Sequence, residues 1–279
     1  MSLAGFLDAE SVRLALAVSA GAACVCAPVG LLAVLRGQGF AGHALADIAA
    51  AGGAAALLLG VSPGVGFLVL SLAGAFALAG LEGRGLGRGL ATGIVLGAGL
   101  GLTALLLFLD QTRAHIGGAA GGVMFGSLFA LGPSALVMGT LGAVLVLAAF
   151  GMAGRGLVFA SLSPELARVA GLRVRGLGAL YLVLLAMSVT LGAMSLGAIL
   201  ATVLLIGPAS AALCLTRSPS LAVLVALALA LAACWGGIAL AWDSYGWWPG
   251  HVWPVSFFIT VLVLGEYGAA RLWQGARHV

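Results

Sequence analysis

Long apolar runs alternate along the chain with short stretches that hold most of its charged residues. By hydropathy the runs predict nine membrane-spanning helices, at 12–35, 40–59, 63–81, 90–109, 133–151, 177–191, 196–215, 221–241 and 254–270. Several only approach the ~20 residues a helix needs to cross the hydrocarbon. The runs are continuous rather than alternating with period two, which favours helices over a β-barrel. The first is too long for a cleaved signal and is read as a helix. Residues 123–131 read as either a short helix or a re-entrant segment, and 153–175 form the largest loop.

Composition decides the solvent. Of 279 residues, 63% are hydrophobic and 7% charged, against about 45–50% and about 25% in soluble domains. A bilayer must take the place of water around this much apolar surface. The 45 glycines sit largely inside apolar runs, where small residues let helix backbones approach closely. The expected fold is all-α, a polytopic transmembrane helix bundle of about nine helices forming one domain over 1–279.

All twelve basic residues are Arg. A phosphate-binding loop of the G-x-x-x-x-G-K-[ST] type needs its Lys, so this chain cannot carry one. Any ATP-driven role therefore calls for a separate ATPase chain, and the chain itself is read as a non-enzyme. The net charge of +4 follows from topology and gives no reason to invoke nucleic acid. With nine crossings and the C-terminus in the cytoplasm, Arg36, Arg84, Arg88, Arg155, Arg168, Arg173, Arg175, Arg217, Arg271 and Arg277 fall inside. Only Arg13 and Arg113 fall outside, as the positive-inside rule asks. The N-terminus is then expected outside.

Residues 242–253, also outside, hold four Trp and one Tyr, an interfacial aromatic belt. Cys24, Cys26, Cys214 and Cys234 lie in apolar stretches without zinc-knuckle spacing. They read as small packing residues, with a weak metal relay as the alternative.

The loop at 153–175 contains a short helix with clear punctuation. Ser163 can cap it, Pro164 suits its first position, Glu165 favours the positive end of the dipole, and Gly171 can end it. Leu166, Val169 and Ala170 give it a small apolar face. It reads either as an interfacial loop helix or as a coupling helix docked on a cytoplasmic ATPase.

The segment at 40–59 holds His43 and Asp47, four apart and so on one helical face. A carboxylate in hydrocarbon costs about 2.5–3.5 kcal/mol on insertion scales, so it needs a partner. The pair reads as a structural hydrogen bond, as two solvated groups near the helix end, or as ligands. Imidazole with carboxylate suits Zn²⁺, and carboxylate suits Mn²⁺. His115 and His251 read as solvated loop residues or as groups receiving metal, with Asp243 a candidate partner for His251. Glu266 reads as snorkelling or pairing with Arg271.

Three segments, in order, resemble the permeases of zinc/manganese/iron ABC importers. Residues 159–171, FASLSPELARVAG, resemble that family's D-P-E-x-A-x-x-x-G segment. Residues 196–209, LGAILATVLLIGPA, look like its V-G-x-L-L-V-x-A-L-L-I-I-P-A helix, and MFGSLFA at 124–130 is similar to its L-F-G-S-I-L-A. The resemblance spans about 35–217. The family's G-D-A-L-S-H-A appears here as GHALADI at 42–48, with the two ligand types exchanged, and the Pro-Gly that usually follows is absent.

The resemblance implies a type II ABC importer-like permease in a bacterial-type inner membrane. It also implies a permease homodimer, a cytoplasmic ATPase subunit and an extracytoplasmic metal-binding protein. The transported ion would be Zn²⁺, or next Mn²⁺ or Fe²⁺, passing His43 and Asp47, with no permanently bound cofactor. A coupling-helix loop at 159–175 would meet the ATPase through Ser163, Pro164, Glu165, Leu166, Arg168 and Gly171. The rival expectations are a proton-coupled secondary transporter with Asp47 as carrier, an assembly protein, and a metal-chelate permease.

Overall fold

The computed structural model describes residues 3–112, 118–126, 128–130, 133–244, 246–247 and 253–276. Arg113, His115, His251 and Arg277 lie outside the described residues. Twelve α-helices follow one another: α1 (Leu3–Asp8), α2 (Glu10–Leu35), α3 (Gly39–Leu58), α4 (Pro63–Gly83), α5 (Arg88–Thr112), α6 (Ala119–Phe125), α7 (Pro133–Leu162), α8 (Pro164–Val169), α9 (Val174–Leu196), α10 (Ala198–Leu215), α11 (Pro219–Ser244) and α12 (Val255–Ala276). A 3₁₀ turn at Leu128–Ala130 lies between α6 and α7. Nine of the helices are long and apolar enough to cross a membrane among the described residues, one for each predicted span.

Short connections at 36–38, 59–62, 84–87 and 216–218 reverse the chain between the long helices they join. Arg36, Arg84, Arg88, Arg168, Arg173, Arg175, Arg217 and Arg271 therefore gather at one end of the bundle. We call this the Arg-rich end; α6 and the 3₁₀ turn lie at the other. The helices α2 and α3 are the most enclosed, while α5 and α7 expose most of their surface, as helices facing lipid or a second subunit would.

Small residues make this enclosure possible. A Cβ at Gly52 of α3 would fall on the carbonyl oxygen of Gly66 in α4, and a Cβ at Gly66 on that of Gly52. In the same way Gly30 of α2 admits the carbonyl oxygen of Leu205 in α10. With no hydrophobic driving force between helices in lipid, such close packing is what holds them together.

The structure corrects several expectations. The helix predicted at 133–151 runs on to Leu162 as α7. Gly151, Gly154 and Gly156 suggest a break, but Leu157 is fully buried and Ala160 nearly so. Continuing the helix buries both residues and keeps the backbone groups paired internally. The described residues of the ambiguous stretch at 123–131 form the end of α6 and the 3₁₀ turn. The helix predicted at 90–109 runs on to Thr112 as α5.

Ser163 stands at the N-cap of α8 but its side chain makes no capping bond; its backbone carbonyl instead accepts the Ala167 N–H at 3.0 Å. Gly171 ends α8 as expected, with φ of +81°. The Gly171 N–H bonds to Arg168 O and the Leu172 N–H to Ala167 O, both at 3.0 Å. That is a Schellman closure, which needs the left-handed residue at this place. Glu266 does not pair with Arg271. Its Oε2 is buried without a hydrogen-bond partner among the described residues, and Arg271 donates to Gln274 at 3.2 Å.

Candidate functional site

His43 and Asp47 occupy the fifth and ninth positions of α3, and the helix brings both to one face. His43 Nε2 lies 3.8 Å from Asp47 Oδ2. That is beyond hydrogen-bonding distance, so the structural bond weighed from the sequence is not formed. Asp47 is 4% exposed and its Oδ2 has no hydrogen-bond partner among the described residues. The His43 side chain keeps 37% of its surface exposed. A buried carboxylate oxygen without a donor is costly to maintain. Metal bonds of about 2.0–2.2 Å to nitrogen and oxygen can together span the gap.

Neighbouring helices fix both side chains. Thr202 of α10 places Oγ1 3.3 Å from His43 Nδ1. This contact orients the ring and leaves Nε2 for the side facing Asp47. Thr103 of α5 donates its hydroxyl to the Asp47 backbone carbonyl at 2.7 Å. A Cβ at Gly99, one turn earlier on α5, would lie 3.1 Å from Asp47 Cβ and 2.9 Å from the Ile48 nitrogen. The backbone of α5 thus presses against the acidic residue, and the carboxylate has little freedom to turn away.

Sequence reasoning missed Thr202, Thr103 and Gly99. The available signal was a polar side chain in an otherwise apolar run, as at Thr202 in AILATVLLIG, but nothing local tells which helix it meets. No group of three His, Cys, Asp or Glu gathers to hold a metal among the described residues. Thr202 and Thr103 are the hydroxyl groups that bond to the pair among the described residues.

The other candidates lie elsewhere. Asp243 accepts a hydrogen bond from Trp247 Nε1 at 3.0 Å; its expected partner His251 is outside the described residues. Trp247 and Trp253 pack against Phe258, and Trp253 also against Phe257, in keeping with an interfacial aromatic belt. Cys26 is buried and directs its thiol to the Ser188 carbonyl at 3.8 Å, while Cys24 is half-buried. On α8, Leu166 is 60% and Val169 86% exposed, whereas Ala167 is buried. The helix therefore shows an apolar face to its surroundings.

The profile of the ABC 3 transport family matches residues 8–250. The chain belongs to the ABC 3 transport family. This family member is 28% identical over 220 residues to the high-affinity zinc uptake system membrane protein ZnuB of Haemophilus influenzae, covering 78% of this chain and 82% of that one. Its fold matches a chain of the PsaBC–Fab complex from Streptococcus pneumoniae with a TM-score of 0.78 and 21% identity, over 96% of this chain and 95% of the other. It also matches an inward-facing metal-chelate type ABC transporter with a TM-score of 0.72 and 18% identity, over 93% and 85% respectively. The all-α bundle of this ABC 3 chain is thus the fold of solved ABC transporter subunits.

Proposed function

We propose that this chain is the membrane-spanning subunit of an ATP-driven importer for a divalent metal ion, with Zn²⁺ the first candidate and Mn²⁺ or Fe²⁺ next. The observation that carries the reading is the pair His43 and Asp47 on one face of the enclosed helix α3, with a carboxylate oxygen that no protein donor satisfies. An imidazole and a carboxylate are ligands for zinc. Similarity to a zinc-uptake membrane protein ranks zinc first. Two protein ligands make a weak site, and a transported ion must leave. Water, Thr202 or a second copy of this chain would complete its coordination.

The chain holds no Lys for a phosphate-binding loop, so a separate cytoplasmic ATPase supplies the power. An extracytoplasmic binding protein delivers the ion. The positive-inside rule favours an Arg-rich end in the cytoplasm of a bacterial-type cell; the N-terminus would then lie outside and α8 within reach of the ATPase. A metal-chelate permease is the second reading, favoured by the fold similarity to a metal-chelate type transporter. A chelate brings its own ligands and would leave Asp47 without a task. A proton-coupled transporter would need no ATPase.

The test is uptake of radiolabelled zinc, manganese and iron by proteoliposomes containing the chain, its ATPase and its binding protein. Uptake of free metal that requires ATP supports the proposal. Uptake of chelate alone, or uptake driven by a proton gradient without ATP, overturns it.

A second expectation concerns α8. The exposed Leu166 and Val169 would fill an apolar cleft on the ATPase, as buried interface anchors do. Leu166→Asp with Val169→Asp should weaken ATPase association at least tenfold, about 1.4 kcal/mol, measured by co-purification across a concentration series. Because both side chains already face outward, thermal stability of the isolated chain should hold. Unchanged association would remove α8 from the interface.

A further inference from the structure

The Arg-rich end contains a polar junction built from residues other than the His43–Asp47 pair. Arg36 caps the C-terminus of α2. Its Nε donates to Ser161 Oγ at 2.8 Å, and its guanidinium lies 4.4 Å from the ring centroid of Tyr181 on α9. Ser161 is in the last turn of α7, three residues before Pro164 opens α8. Among the described residues no other hydrogen bond joins α7 to α2 or α3.

The covalent continuation of Arg36 is short and stiff. Gly37 takes φ of +64°, its N–H bonds to Val34 O at 3.0 Å, and the Gln38 N–H bonds to Ala33 O at 2.9 Å. This closure ties the turn to α2. Gln38 stands at the N-cap of α3 and donates Nε2 to Glu82 Oε1 at 2.9 Å. His43 follows five residues later. A cleft of about 300 Å³, lined in part by Gly37, Gln38, Phe40 and Arg88, flanks the turn. The first turn of α3 has space into which it can move.

We infer that Arg36 is a positioning residue that couples displacement of α8 to the helix carrying His43 and Asp47. The inference rests on the reading of α8 as the ATPase-docking helix. A guanidinium held by a hydroxyl on one side and an aromatic face on another moves with both. A push on α8 reaches Ser161 through the end of α7, passes to Arg36, and shifts α3 through a turn too short to absorb it.

The experiment uses the complete transporter in proteoliposomes and records zinc uptake and ATP hydrolysis together for Arg36→Gln, Arg36→Lys and Ser161→Ala. Arg36→Gln should lower the number of ions moved per ATP about tenfold, within the usual range of coupling between sites, while hydrolysis stays close to wild type. Ser161→Ala should lower the same ratio less, since Tyr181 still holds the cation. Arg36→Lys should restore part of it. If Arg36→Gln fails to assemble, the Ser161→Ala ratio decides the matter.

An unchanged ratio in these variants beside an active wild type overturns the inference and leaves the transport proposal standing. So does a parallel fall in uptake and hydrolysis, which marks a purely structural role. A wild-type transporter with no ATP-driven metal uptake overturns both.

Discussion

Replacing His43 and Asp47 together with alanine is expected to abolish ATP-driven zinc uptake while leaving the chain folded and assembled. Changing a partner that merely orients a ligand typically costs a metal site about 10–100-fold. Removing both ligands should cost at least that, which in a flux assay is loss of measurable uptake. The structure separates this effect from misfolding. Removing one partner of a satisfied buried pair leaves an orphan charge and destabilises the fold. Here the double substitution removes both members of the 3.8 Å pair at once, Asp47 Oδ2 accepts no hydrogen bond among the described residues, and the bond from Thr103 goes to the Asp47 backbone. His43 is partly exposed, so its loss opens little void. Thermal unfolding should therefore come no earlier than in wild type, and ATPase binding should match it. Undiminished zinc uptake in a well-assembled double variant would exclude the pair from the path.

A large effect on stability is expected at Gly52. In Gly52→Ala the new methyl would fall on the Gly66 carbonyl, with Leu70 Cβ only 2.9 Å away. Helix backbones cannot yield as a flexible side-chain end can, so α3 and α4 must separate along their crossing. Overpacking typically costs about 1–3 kcal/mol, and here it displaces the helix that carries the candidate ligands. The variant should unfold at a lower temperature in detergent and give less monodisperse protein. Gly80→Ala, on α4 with nothing within 4 Å of the added methyl, is the control. It should be neutral or slightly stabilising, because alanine favours the helix over glycine by roughly 0.5–1 kcal/mol. Equal behaviour of the two variants would mean that the α3–α4 approach is looser than described.

Much of the fold was legible because lipid leaves so few alternatives. A long apolar run must satisfy its backbone internally, so each one became a helix, and nine runs gave nine candidate spans. The ends were less legible. Glycine, which punctuates helices in water, does not end α7 at Gly151, because Leu157 and Ala160 beyond it still bury apolar surface. For the candidate site, the shared face of His43 and Asp47 follows from spacing alone. Thr202 and Thr103 lie 159 and 56 residues from their partners, and only the packing of α10 and α5 on α3 brings them in. The link from Arg36 to Ser161, 125 residues apart, was hidden for the same reason.

The bare contacts between helices also set where this lineage has room to change. At Gly30, Gly52 and Gly66 the space for a side chain is already filled by a neighbouring backbone, so mutation there meets selection at the first added carbon. On the outward faces of α5 and α7 large hydrophobics such as Leu102, Leu105, Leu141 and Leu145 face outward, where one apolar residue can replace another with little cost. The tolerance of such a molecule for exchange lies along its outside. A pair of relatives can lose most of their identities and still superimpose, as long as the few positions without side chains remain empty.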